Sequence, residues 1–136
     1  MTAGYSGTPL AKKLGIKEGF SVLAVNAPDN FEELLRPLPV GVSISISPKP
    51  ETDVVHFFTN SREELFRGLA EYKNLIKQNG SIWVSWYKKA AKLPTEITED
   101  TVREAAFPLG LVDIKVCAID EKWSGLKLVI RKENRI

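Results

Sequence analysis

The sequence predicts an α/β fold: a mostly parallel sheet flanked by helices and ending in an antiparallel hairpin. Three observations predict it. Val54-Val55-His56-Phe57-Phe58 is an unbroken apolar run, the pattern of a central parallel strand covered on both faces. Ser61-Arg62-Glu63-Glu64 then has capping-box spacing and opens a segment with Leu65, Leu69, Tyr72 and Ile76 at helical period, before a second apolar run from Ser81 to Tyr87. The C-terminal third alternates apolar and polar residues twice, over Val112 to Ala118 and Leu126 to Ile130, on either side of Trp123-Ser124-Gly125.

The remaining elements follow in chain order. Thr8-Pro9 opens a short helix carrying Leu10 and Leu14, and Gly15 closes it, the proline-first, glycine-last asymmetry of helices. Phe20 to Val25 reads as the first strand, and a short helix runs from about Asp29 to Arg36 until the prolines at 37 and 39 stop it. Val42, Ile44 and Ile46 alternate with serines, which predicts a near-edge strand with one buried face. The crossover helix is expected to stop at Asn79-Gly80. Thr98 caps a later helix bearing Val102, Ala105 and Ala106, which Pro108-Leu109-Gly110 ends. In the strand after it, Ile114, Val116 and Ala118 are expected to share the inward phase, with Cys117 out of phase as a half-buried structural thiol.

At 136 residues with 43% hydrophobic content, the chain has enough apolar material for one core, so a single domain over 1–136 is expected. Nineteen basic and seventeen acidic residues leave a net charge of +2, too balanced to make nucleic acid or a membrane surface the default partner. One cysteine excludes an internal disulfide, and with neither a basic-then-apolar leader nor a long apolar span, a cytoplasmic setting is the simplest expectation. A single histidine and a single cysteine argue against a zinc site. No metal is expected.

Two stretches carry resemblances. Asn74 to Trp86, where a helix would end at Asn79-Gly80 before a strand, is similar to a passage of S-adenosylmethionine-dependent methyltransferases, and Val112 to Arg131 resembles their closing antiparallel pair. The blocks Tyr5-Ser6-Gly7-Thr8-Pro9-Leu10, Leu14-Gly15-Ile16-Lys17 and Trp123-Ser124-Gly125-Leu126-Lys127 resemble a family of short bacterial proteins of unknown function over nearly the whole chain. The resemblance implies an abridged Rossmann-like, methyltransferase-like fold. It also implies what should be present and is not. In the methyltransferase pattern the first strand ends in an acid and a Gly-x-Gly turn, and the second ends in an acid that holds the ribose hydroxyls. Here Asn26-Ala27-Pro28-Asp29 takes the first place and Ser45, Ser47 or Lys49 the second. Ala27 carries a Cβ, Pro28 has no N–H to donate, and Asp29 repels an anion from the next helix. The short connector between Ser47 and Asp53 leaves no room for a third strand, and it makes a parallel pairing of 42–46 with 54–58 across an intervening strand hard to build.

In such a sheet ligands sit outside the carboxyl ends of the strands, where strand order reverses. That edge would gather Asn26 and Asp29, then Asn60, Ser61 and Arg62, then Trp86, Lys88 and Lys89, with Asp120, Trp123 and Ser124 from the hairpin tip. This set suits a small anionic or aromatic ligand, with Ser61 at a helix N-terminus and Arg62, Lys88 and Lys89 supplying charge. The competing reading makes the lysines a solvated loop and Trp86 part of the core. Trp123 either folds back onto the domain or meets a ligand, a protein partner or a second copy of the chain in a homodimer. His56 could serve as a general base but lies among valines and phenylalanines, where a neutral core histidine is the simpler state. The leading expectation is a non-catalytic or regulatory ligand- or protein-binding domain with no cofactor. The alternative is a divergent methyltransferase using S-adenosylmethionine. Nucleic-acid binding ranks third, because Lys12, Lys13 and Lys17 are far along the chain from Lys88, Lys89 and Lys92 and no reading motif is present.

Overall fold

The computed structural model describes residues 8–136, so the Tyr5-Ser6-Gly7 part of the first resembling block lies outside the described residues. Six strands form one sheet: β1 Ser21–Val25, β2 Ser43–Ser45, β3 Thr52–Phe58, β4 Ile76–Tyr87, β5 Leu111–Ala118 and β6 Trp123–Ile130, in the spatial order β2-β1-β3-β4-β6-β5. β1 pairs in parallel with β2 and β3, and β3 with β4. β6 is antiparallel to both β4 and β5. The predicted α/β class and the closing hairpin are therefore observed.

Four helices cover the two faces: α1 Leu10–Lys13, α2 Phe31–Leu35, α3 Arg62–Tyr72 and α4 Glu99–Ala106. Leu65 and Leu69 of α3 and Val102, Ala105 and Ala106 of α4 pack on Val55, Phe57, Ile82, Val84, Leu126 and Leu128. On the other face, Ala11 and Leu14 by α1 and Phe31 and Leu35 of α2 pack on Val22, Val54, Phe58 and Trp83. Alternate residues of β3 therefore feed different cores, which is why its sequence is apolar throughout. Trp83 is fully buried, and its Nε1–H donates to the Leu14 carbonyl at 2.9 Å, fastening the end of α1 to the sheet.

Four expectations are corrected. The strand around 43–45 is parallel to β3 with β1 between them. The connector suffices because β2 is so short: Ser45 is level with Leu23 and Val55, so residues 46–51 need only descend about 10 Å and cross two strand spacings of about 4.8 Å each. Ile46 lies beyond the strand and is 85% exposed rather than facing inward. α3 ends at Tyr72, and Ile76 belongs to β4, paired with Thr52. The pairing then jumps from Thr52–Ile76 to Val54–Ser81, so Lys77 to Gly80 bulge out, and Lys77 reaches back to Asp53 at 3.0 Å. Asn79-Gly80 is thus a bulge and not a helix stop. A Cβ on Gly80 would lie 3.0 Å from the Asp53 and Lys77 carbonyls, which explains the glycine. Finally, an irregularity between Asp113 and Lys115 inverts the expected phase of β5: Ile114 and Val116 are exposed, and Cys117 is buried.

Candidate functional site

Strand order reverses between β1 and β3, so the crevice to inspect lies beyond Val25 and Phe58. Asn26 occupies it. Its backbone is left-handed, with φ of 56°, a conformation asparagine tolerates better than most residues. Its side-chain Nδ2 donates to the Phe58 carbonyl at 3.2 Å, tying the ends of the two strands together. Asn60 acts similarly one strand over: its Oδ1 accepts from the Tyr87 N–H at 2.8 Å, and its carbonyl accepts from the Glu96 N–H. Each asparagine thereby places one side-chain atom on the protein's own backbone.

Ser61 caps α3 as predicted, its Oγ accepting from the Glu64 N–H. The positive end of that helix already holds an anion. Glu96, from the loop before α4, accepts from the Arg62 N–H at 2.8 Å. Arg62 itself turns outward, making a bidentate pair with Glu104 at 2.8 and 2.9 Å and lying 4.6 Å over the Phe66 ring. The hydrogen bond from Arg62 holds the Glu104 carboxyl below its usual range. As one of the acids before α4, Glu96 reads from sequence as offsetting that helix's dipole; its pairing with α3, 34 residues away, has no sequence signal. We expect Glu96→Ala to lower stability by about 1 kcal/mol, in line with loss of a helix cap, with a denaturant midpoint shift at unchanged slope as the readout.

The other predicted residues divide between two depressions on this edge. Trp86, Lys88 and Lys89 line a groove of 450 Å³ with Tyr87, Ile97, Thr98, Ser124 and Glu99, whose carboxylate pairs with Arg103 at 3.6 Å. Trp86 is 6% exposed and forms part of the floor, so it belongs to the core and touches the groove at once. No ion pair engages Lys88 or Lys89 among the described residues. Asp120 and Trp123 line a smaller cleft of 330 Å³ with Pro28, Asn30 and Leu34. Asp120 builds the hairpin turn, its Oδ1 accepting from the N–H groups of Lys122 and Trp123. Trp123 folds back, edge-on to Phe58 at 4.9 Å and tilted against Tyr87 at 4.5 Å.

His56 has a partner that sequence spacing did not reveal. Its Nε2 is 2.7 Å from the Ser85 Oγ, across the β3–β4 pairing. The dyad is sealed: both residues are fully buried, Phe58 stacks on the imidazole at 4.2 Å, and Phe31 meets it edge-on. The other ring nitrogen, Nδ1, has no hydrogen-bond partner. Burial pushes the imidazole pKa down to about 3. A neutral ring with bare Nδ1 and a proton on Nε2, donated to Ser85, fits this environment. A substrate cannot reach it. Cys117 is likewise buried, and burial raises its pKa despite the nearby Lys13 and Lys115. Among the described residues no group of three or more His, Cys, Asp or Glu side chains is placed to hold a metal ion, and no helix is long and apolar enough to cross a membrane.

Solved structures similar to this chain include an S-adenosylmethionine-dependent methyltransferase from Aquifex aeolicus, 17% identical, with 89% of this chain and 88% of that one covered and a TM-score of 0.65. Fibrillarin from Aeropyrum pernix, with natively bound S-adenosylmethionine, is 12% identical over 93% of this chain and 70% of its own, with a TM-score of 0.57. The [4+2]-cyclase SpnF is 10% identical over 89% of this chain and 79% of its own, with a TM-score of 0.56. At such identities the likeness establishes the methyltransferase-like Rossmann fold and nothing finer. No curated protein matches the chain. Residues 46–132, well over half of the sequence, match the family model described as a protein of unknown function, and the chain belongs to that family, DUF3052.

Proposed function

We propose that this protein is a non-catalytic small-ligand-binding domain on a methyltransferase-like sheet, and that it takes its ligand in the groove between Trp86 and the loop before α4. One observation carries the reading. The positions where the fold would receive a cofactor are bonded by the chain itself, Asn26 to Phe58 across the strand-reversal crevice and Glu96 to the N-terminus of α3. Further along the same edge, a groove with an aromatic floor retains two ammonium groups without ion pairs among the described residues. That combination suits a small aromatic anion: the ring lies on apolar surface and the charge meets Lys88 and Lys89. The enclosed His56 supports the non-catalytic part, since a general base must come within hydrogen-bond reach of the proton it removes.

The second reading, a divergent methyltransferase, draws on the fold alone. Thermal unfolding in the presence of nucleotides, aromatic carboxylates, S-adenosylmethionine and S-adenosylhomocysteine separates the two. A ligand at one hundred times its dissociation constant stabilises the native state by about 2.7 kcal/mol, several degrees for a domain of this size. The expected result is a shift with an anionic aromatic compound that disappears in Lys88→Ala/Lys89→Ala. A shift with an adenosyl compound alone would favour the methyltransferase.

A further inference from the structure

A second basic region has no place in that reading. On the face of the sheet covered by α1, lysines from three separate parts of the chain converge beside the hairpin. Lys115 of β5 donates its Nζ to the Lys13 carbonyl at 3.1 Å. Lys127 of β6 stands opposite Lys115 in the strand pairing, and its Nζ comes within 3.0 Å of where a Cβ would sit on Gly15. Lys12, Lys13 and Lys115 line a basin of 600 Å³ together with Thr8 and Cys117. Lys17 lies near enough that it and Lys115, after burial, lower the pKa of Lys127.

Like charges drawn together cost free energy, more for the part-buried Lys127 than for the exposed Lys12, Lys17 and Lys115, and a bound anion offsets that cost. Among the described residues no carboxylate pairs with Lys12, Lys17, Lys115 or Lys127. The α1 carbonyls offset part of the charge, but as dipoles at the end of a one-turn helix. We infer that the basin between α1 and the β5–β6 hairpin binds a compact polyvalent phosphate, such as a pyrophosphate or triphosphate group. Compactness favours phosphate over nucleic acid. Lys12, Lys13 and Lys115 line one basin instead of tracking a strand, and Phe107, the large exposed aromatic among the described residues, lies under Arg131 near α4 and offers no stacking platform here.

Calorimetric titration with inorganic tripolyphosphate at low ionic strength tests the inference. Wild type should bind, and Lys12→Ala/Lys115→Ala should bind roughly tenfold more weakly, as expected for lost charge-assisted contacts. Lys49→Ala/Lys132→Ala removes the same net charge elsewhere on the surface and should bind as wild type does. Lys12 and Lys115 are exposed, so their removal should spare the fold, which far-UV circular dichroism checks. Absence of binding, or equal weakening in both double variants, would overturn the inference. So would tighter binding of a single-stranded oligonucleotide than of tripolyphosphate through the same two lysines, since the surface would then be a nucleic-acid site.

Discussion

Lowering the pH from 7 toward 3 is expected to destabilise this protein through one residue, His56, on the order of 4–5 kcal/mol. The imidazole titrates near 6.5 when unfolded and near 3 when folded. Between those values the unfolded chain holds a proton that the native state refuses, so stability rises with pH across the window. The contribution is complete above about 6.5 and is lost as pH falls toward 3, with a slope approaching about 1.4 kcal/mol per unit. Denaturant melts across this range measure it, and His56→Phe with Ser85→Ala, which removes both polar partners, should flatten the part due to this residue. Because the chain has a single histidine, its imidazole Cε1 proton gives an independent readout by NMR. That signal should not titrate between pH 8 and pH 5. A midpoint near 6.5 would mean that the ring reaches water, and the enclosed dyad would have to be reconsidered as a catalytic pair.

The second large effect is expected at Trp83. It is fully buried, its Cε3 would lie 3.1 Å from a Cβ on Gly125, and its indole N–H holds the end of α1 through Leu14. Trp83→Ala should cost about 3–5 kcal/mol, the range for large aromatics removed from a packed core. Trp83→Phe should cost about 2 kcal/mol, through lost volume and the unpaired Leu14 carbonyl. Amide exchange around Leu14 distinguishes the two contributions: in Trp83→Phe it should rise locally, more than global stability falls, because α1 loses its tether to β4. Uniform acceleration across all six strands would contradict that assignment.

Local chemistry made most of the fold legible. Ser61 and Thr98 cap α3 and α4 as their spacing predicts, and the apolar run of β3 is central and covered on both faces. What escaped were features set by partners distant in sequence. Helical period carried the expectation through Ile76, yet Ile76 pairs with Thr52, and the four residues after it bulge. Strand period placed Ile114 and Val116 inward, but a ladder irregularity turned them to solvent. Periodicity has no memory of register, so one irregular step inverts everything beyond it.

The candidate site was legible as a place more than as a mechanism. The carboxyl edge does gather the predicted polar residues, but Asn26, Asn60, Ser61 and Asp120 each turn a side-chain atom to backbone. Arg62 is paired to Glu104, and Trp123 is packed into the core. Lys88 and Lys89 are the predicted cations of this edge without an ion pair among the described residues. The Glu96 contact with α3 and the His56–Ser85 pair could not be foreseen, since each joins elements about thirty residues apart.

In the proposed reading, side chains of the chain itself stand where a methyltransferase-like sheet would contact its cofactor. Calorimetric titration of S-adenosylmethionine and S-adenosylhomocysteine into the wild-type protein tests it most directly. No saturable heat is expected with either compound. Saturable binding of either one, weakened by Asn26→Ala, would contradict it and place a cofactor in the crevice between β1 and β3.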